Sequence, residues 1–228
     1  GALMLLALSR TAQALHGGSA ALAAPLLAIG TLGLLAPLHE AQPAVAGITG
    51  FALCLWGLTL WQRQAPAGGA LFGLGLAVSF LGSGVNGMAI GLVTGLLLPL
   101  HPAWRTRGSL LAWLAAAVAT LALGLPWPLL LWQQSPALFD IWWRTEVVSF
   151  TPPGGFSRDH LELLAWAAWP VLPLALWSLW LERRRPFAAH TFLLLVATLA
   201  GLTTYAIDTP KPTALLPSLV PLTLLGAA

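Results

Sequence analysis

The longest apolar stretch of the chain, at about residues 70–99, is too long to cross a membrane once and too apolar to sit in water. As one helix it would extend about 45 Å at ~1.5 Å per residue, against a hydrocarbon core of ~30 Å. At its centre stands Gly82-Ser83-Gly84-Val85-Asn86-Gly87, poor helix and good turn material. Together these constraints predict two short helices folded as a hairpin, which returns the chain to the side it left.

Composition points to the same solvent. Of 228 residues, 58% are hydrophobic and 7% are charged, and the mean hydropathy is +0.83. Soluble domains carry about 25% charged residues, and a chain of this size leaves roughly 30% of its unfolded surface exposed. A water-facing surface cannot be built from this composition. The 12 Trp and 18 Pro suit lipid, because Trp favours the membrane interface and spanning helices tolerate Pro. The ten basic residues are dispersed between apolar spans and form no nucleic-acid-binding patch. With Cys54 as its single cysteine, the chain has neither a disulfide framework nor a cysteine metal site.

Apolar runs separated by polar or Pro/Gly punctuation predict an all-α polytopic transmembrane bundle of about seven to nine full or partial spans. A partial helix ends at Arg10, and a polar segment reaches Ser19. Spans follow at about 20–37 and 44–61, then the hairpin at 70–99, then spans at about 109–132, 163–181 and 187–206. A partial span begins near Thr213. The end stretches, Gly1–Ser9 and Thr213–Ala228, are each shorter than the ~20 residues of a full span. They are read as helices cut at both ends of a single transmembrane domain over 1–228. The long connection at 133–162 is read as an outer, periplasmic loop with an interfacial helix.

Loop charges support the hairpin. With 70–99 going in and out, Arg10, Arg63, Arg105, Arg107 and Arg183–Arg185 lie on one side, against Arg144, Arg158 and Lys211 on the other. A single crossing would divide them evenly, and the positive-inside rule favours the biased arrangement. The outer face then collects the His39-Glu40 turn, the 133–162 loop and the Asp208–Pro212 turn, which hold every acidic residue except Glu182. Either a polar cavity or the ordinary polarity of short connections accounts for that clustering.

Three constellations carry candidate chemistry. In Leu38-His39-Glu40-Ala41-Gln42-Pro43, the adjacent imidazole and carboxylate suit a divalent metal or a sugar hydroxyl, or simply a polar turn closed by Pro43. In the outer loop, Trp142, Trp143, Val147 and Phe150 offer an apolar face while Arg144 and Glu146 are polar. A Pro/Gly turn follows, and Arg158, Asp159 and His160 lead into the next span. An arginine at headgroup level is a phosphate ligand or one half of an interfacial charge pair. Lys211, between Pro210 and Pro212 at a helix start, is a placed point charge that meets a phosphate together with the helix N-terminus, or else a snorkelling lysine. Arg183-Arg184-Arg185 reads as a cytoplasmic anchor, and Pro126-Trp127-Pro128 as a kink or an end of a span. His16, His101 and His190 lack metal-ligand spacing.

Several of these segments together resemble GT-C-type membrane glycosyltransferases, in particular the aminoarabinose transferase and protein O-mannosyltransferase-like superfamily. The segment GLGLAVSFLGSGVNG (residues 73–87) is similar to that family's Gly-rich GLAFLTKGPVG, and the closing KPTALLPSLVPLTLLGAA to its LPTYLLPLLPPLALLAA. Between them, PWPLLLWQQSPALFDIWWRTEVVSF, then Arg158-Asp159-His160 and a Trp-rich span, matches its outer loop. The resemblance implies an integral enzyme of the cell membrane, suited to a bacterial inner membrane. It would move a sugar from a polyprenyl-phosphate donor to a lipid or protein acceptor at the outer face. The family's catalytic carboxylate lies in the first outer loop, upstream of residue 1, so no residue here is assigned as general base. Ser83 replaces the family's Lys, Ala214 its Tyr, and Ser149-Phe150 its Arg-Phe pair. The implied donor-phosphate ligands are therefore Lys211, Arg158 and Arg144, and the implied sugar or metal contacts His39, Glu40, Glu146 and His160. The competing classes are a transporter or flippase, which uses broken helices of the 82–87 kind, and a non-catalytic membrane subunit.

Overall fold

The computed structural model describes residues 1–40, 42–105, 108–147, 156–183 and 188–228, and every regular element among them is helical. The helices are α1 (Ala2–His16), α2 (Ala20–Gly30), α3 (Leu32–His39), α4 (Pro43–Trp61), α5 (Ala65–Leu97), α6 (Ser109–Gly124), α7 (Pro126–Gln134), α8 (Pro136–Trp142), α9 (Arg158–Ala167), α10 (Val171–Glu182), α11 (Ala189–Ile207) and α12 (Pro212–Gly226). A π-helical turn, Trp143–Val147, follows α8. Arg107, Ser149, Phe150, the Pro/Gly turn at 151–155, Arg184 and Arg185 lie outside the described residues.

Proline at the first or second position starts α4, α5, α7, α8 and α12, where its missing N–H leaves no intrahelical bond unmade. Inside the helices, hydroxyls turn back on their own backbone. Thr11, Thr49, Thr94 and Thr198 each donate to the carbonyl four residues earlier at 2.7–2.8 Å, which lets a polar side chain stay in a dry helix. Helix α1 continues through Arg10 and Thr11 to His16, where the polarity pattern predicts an end at Arg10.

The predicted hairpin is present. Helix α5 is broken at Ser83 (φ −143°, ψ 22°) and Gly84 (φ 61°, ψ −155°), the latter a conformation open in practice only to glycine. The two arms run antiparallel at close approach. A methyl on Gly87 would lie 2.9 Å from the Ser79 carbonyl, on Gly91 3.0 Å from Leu76, and on Gly95 2.8 Å from the Phe72 ring. Such small-residue contacts hold helices together where lipid supplies no hydrophobic drive. Helix α4 packs along both arms: Cys54 touches the positions of Gly75 and Gly91, and Ser79 Oγ donates to the Gly47 carbonyl at 3.1 Å. Helix α6 covers the first arm, with Gly73 against Ala116 and Thr120 Oγ1 donating to the Gly73 carbonyl at 3.1 Å.

Contacts between distant segments sort the connections into two ends. At one, the His16 ring meets His190 edge-on with centres 5.2 Å apart, and Trp104 Nε1 donates to the Ala189 carbonyl at 3.0 Å. At the other, Gly82 approaches Pro43, Gly84 lies beneath Glu146, and His160 bonds to Asp208. This is the alternation that the arginine distribution requires.

Two of the expected spans are bent. Helices α2 and α3 meet at 81°, and α9 and α10 at 86°. A uniformly apolar run carries no periodicity that would announce a bend. The breaks arise where Thr31 takes an extended backbone (φ −80°, ψ 121°) and where Pro170 has no amide hydrogen to donate. The two elbows meet. The Leu32 N–H donates to the Trp169 carbonyl at 3.1 Å, and Gly33 packs on Ala167 and Leu219. One bond thus satisfies a donor freed in one elbow and an acceptor freed in the other.

Among the described residues, four helices are long and apolar enough to cross a bilayer, or six if each bent pair is one span. Helix α12 is central, with Leu215, Leu216, Leu219 and Val220 fully buried. Helix α6 leaves Leu110, Leu111, Leu114, Val118 and Leu121 bare, a continuous apolar face that lipid, not water, covers.

Candidate functional site

The polar end away from His16 is organised by one buried histidine. Ser157 is the N-cap of α9, and its backbone N–H donates to Nδ1 of His160 at 3.2 Å. An Nδ1 that accepts from an amide leaves the ring proton on Nε2, which donates to the Asp208 carbonyl at 3.0 Å. His160 is 1% exposed. The Tyr205 hydroxyl donates to its backbone carbonyl at 3.0 Å, and the two rings meet edge-on at 5.1 Å. The start of α9, the end of α11 and the turn into α12 are thereby tied at one point. Both ring nitrogens of His160, expected as a sugar or metal contact, are engaged within the protein in this geometry.

The expected cations stand on that junction. Arg158, the first residue of α9, is exposed and pairs with Glu162 at 2.7 Å. Lys211 caps α12 in an extended conformation (φ −119°, ψ 140°), held between Pro210 and Pro212. Its side chain is exposed, and among the described residues no carboxylate forms an ion pair with it. The Asp208 carboxylate makes a local turn, accepting from the Thr209 N–H at 2.7 Å.

A second group gathers on the hairpin tip. A methyl on Gly84 would lie 2.5 Å from the Glu146 carbonyl and 3.0 Å from its Oε2, so the Trp143–Val147 turn rests directly on the hinge. Aromatic contacts fix it there: Trp142 meets Phe80 at 5.7 Å and Trp127 at 5.2 Å, both edge-on, and Trp143 stacks on Phe139 at 5.8 Å. Arg144 forks onto Asp140, Nε to Oδ1 at 3.1 Å and Nη2 to Oδ2 at 3.0 Å, on the exposed side of α8. His39 and Glu40 form a third, local group. His39 Nδ1 donates to the Leu35 carbonyl at 2.7 Å, and Glu40 accepts from the Gln42 amide. Among the described residues no three His, Cys, Asp or Glu side chains converge on a metal position.

One polar cluster escaped the sequence reading. At the opposite end Glu182 accepts from the Thr191 hydroxyl at 2.5 Å and faces His190 Nε2 at 3.3 Å, with His16 edge-on to His190. Its members come from α1, α10 and α11, so no spacing along the chain could have joined them. The capping role of His160, by contrast, was legible as Ser157-x-x-His160, a variant of the pattern in which the N3 side chain reaches back to the N-cap.

The broken hairpin, the paired elbows and the cation-bearing end define a polytopic helical membrane bundle. Two solved structures carry that fold over nearly the whole chain. ArnT from Cupriavidus metallidurans bound to undecaprenyl phosphate superposes with a TM-score of 0.80 at 16% identity, covering 99% of this chain and 43% of that one. The same protein in the apo state gives 0.77 at 18% identity with the same coverage. At these identities the likeness is one of fold, and the chain spans less than half the length of those structures. No family model and no curated protein matches the chain.

Proposed function

We propose that the chain is part of an integral membrane glycosyltransferase that draws a sugar from a polyprenyl-phosphate donor and passes it to a lipid or protein acceptor. The observation that carries this reading is Lys211, an exposed cation at the N-cap of α12 that pairs with no carboxylate among the described residues. It sits in a fold whose solved example, ArnT, holds undecaprenyl phosphate. Lys211 and Arg158 would offset the negative charge that the polyprenyl phosphate carries as the sugar leaves. Arg144 and Glu146 on the hairpin tip are the next candidates to meet donor or acceptor, and His39 and Glu40 the next after them. No carboxylate of the chain is assigned as general base.

In this reading Lys211 faces outward in a bacterial inner membrane, with Arg63, Arg105 and Arg183 on the cytoplasmic side. Residues 1–228 act as one transmembrane unit, and α8 with its indoles lies in the interface as part of the 133–162 outer loop. A transporter draws its site from a break at the bilayer midplane, whereas Ser83 and Gly84 break α5 at the end where Glu146 rests. The test is donor binding and sugar transfer by the full-length protein in nanodiscs. Lys211→Ala should weaken polyprenyl-phosphate binding about tenfold or more, the loss of one charge-assisted contact. Unchanged donor affinity would sink the assignment.

A further inference from the structure

We propose that His160 is a positioning residue, whose bond to the Asp208 carbonyl sets Lys211 relative to Arg158. This rests on the phosphate-binding reading of those two cations. His160 lies two residues after Arg158 on the first turn of α9, and Asp208 three residues before Lys211, with Pro210 stiffening the interval. The Nε2-to-Asp208 bond joins these two short pieces across 48 sequence positions, and the Tyr205 hydroxyl adds a second tie from α11 to the His160 carbonyl. The turn into α12 keeps its own local bond, Thr209 N–H to Asp208 Oδ1 at 2.7 Å. That bond shapes the turn but does not refer it to α9. Among the described residues, the imidazole is the α9 side chain that hydrogen-bonds to it, and its burial against Tyr205 and Phe156 fixes the ring.

The two ring nitrogens do separable work, and two substitutions separate them. Asparagine places an acceptor near the position of Nδ1, which keeps the α9 cap and loses the bridge to Asp208. Glutamine reaches the position of Nε2 with a donor, which keeps the bridge and loses the cap. In the full-length protein in nanodiscs, titrated with a polyprenyl phosphate, His160→Asn should weaken binding about tenfold. His160→Gln should stay within about threefold of wild type. The donor KM should rise in His160→Asn while kcat at saturating donor stays put, a split that general destabilisation does not produce. The double variant His160→Asn with Lys211→Ala should bind no more weakly than Lys211→Ala alone, because the histidine acts through the lysine.

Wild-type affinity in His160→Asn, additive losses in the double variant, or a tenfold loss in His160→Gln would each overturn the positioning role and leave the functional reading standing. Should His160→Asn not fold, the His160→Gln outcome still decides. A wild-type protein that does not bind polyprenyl phosphate overturns the functional reading and this inference with it.

Discussion

Gly84→Ala is the sharpest probe of the hairpin. Its effect combines two terms that the structure separates. The first is backbone conformation: at φ 61° and ψ −155° an alanine is strained by about 1–3 kcal/mol. The second is space: the new methyl would lie 2.5 Å from the Glu146 carbonyl, a backbone atom that moves only if the Trp143–Val147 turn lifts off the hinge. Overpacking of this kind costs a further ~1–3 kcal/mol. The sum, about 2–6 kcal/mol, corresponds to a loss of roughly 5–20 °C in melting temperature for a chain of this size. Gly17→Ala isolates the first term, since Gly17 also has positive φ (100°) but nothing within 4 Å of the added methyl. Gly18→Ala, in open space without positive φ, should change nothing. The assay is thermal unfolding of the three variants in one detergent, with intrinsic tryptophan emission as a second readout, since Trp142 and Trp143 flank the displaced turn. If Gly84→Ala melts at or above Gly17→Ala, Glu146 does not rest on the hinge, and the account of the hairpin tip is wrong.

Two further substitutions test the packing around the site. Tyr205→Phe removes the hydroxyl that ties α11 to the His160 carbonyl, which keeps its place in the α9 helix; it should destabilise by about 0.5–1.5 kcal/mol in thermal unfolding, and a neutral result would show that the tie contributes nothing. Ser218→Ala should act in the opposite direction. The Ser218 hydroxyl is fully buried on α12 and has no hydrogen-bond partner among the described residues, so its removal should leave the melting temperature unchanged or raise it slightly, and a fall of several degrees would reveal a partner.

How much of this protein was legible in its sequence depends on whether the deciding quantity was local. Charge content alone demanded lipid, and the length of 70–99 against bilayer thickness demanded the hairpin, with Gly82–Gly87 marking its tip. The division of arginines between loops then ordered the two ends. Each of these three is a sum or a length, and none needs a partner across the fold. The elbows at Thr31 and Trp169-Pro170 were invisible because apolar runs look alike whether straight or bent, and each elbow is stabilised by the other through the Leu32–Trp169 bond. For the same reason His160 read as a ligand, although its nitrogens are taken by Ser157 and by an Asp208 that is distant in sequence. Which polar groups face a ligand and which hold the frame is settled by hydrogen-bond partners brought from other helices, and only the tertiary structure supplies those partners.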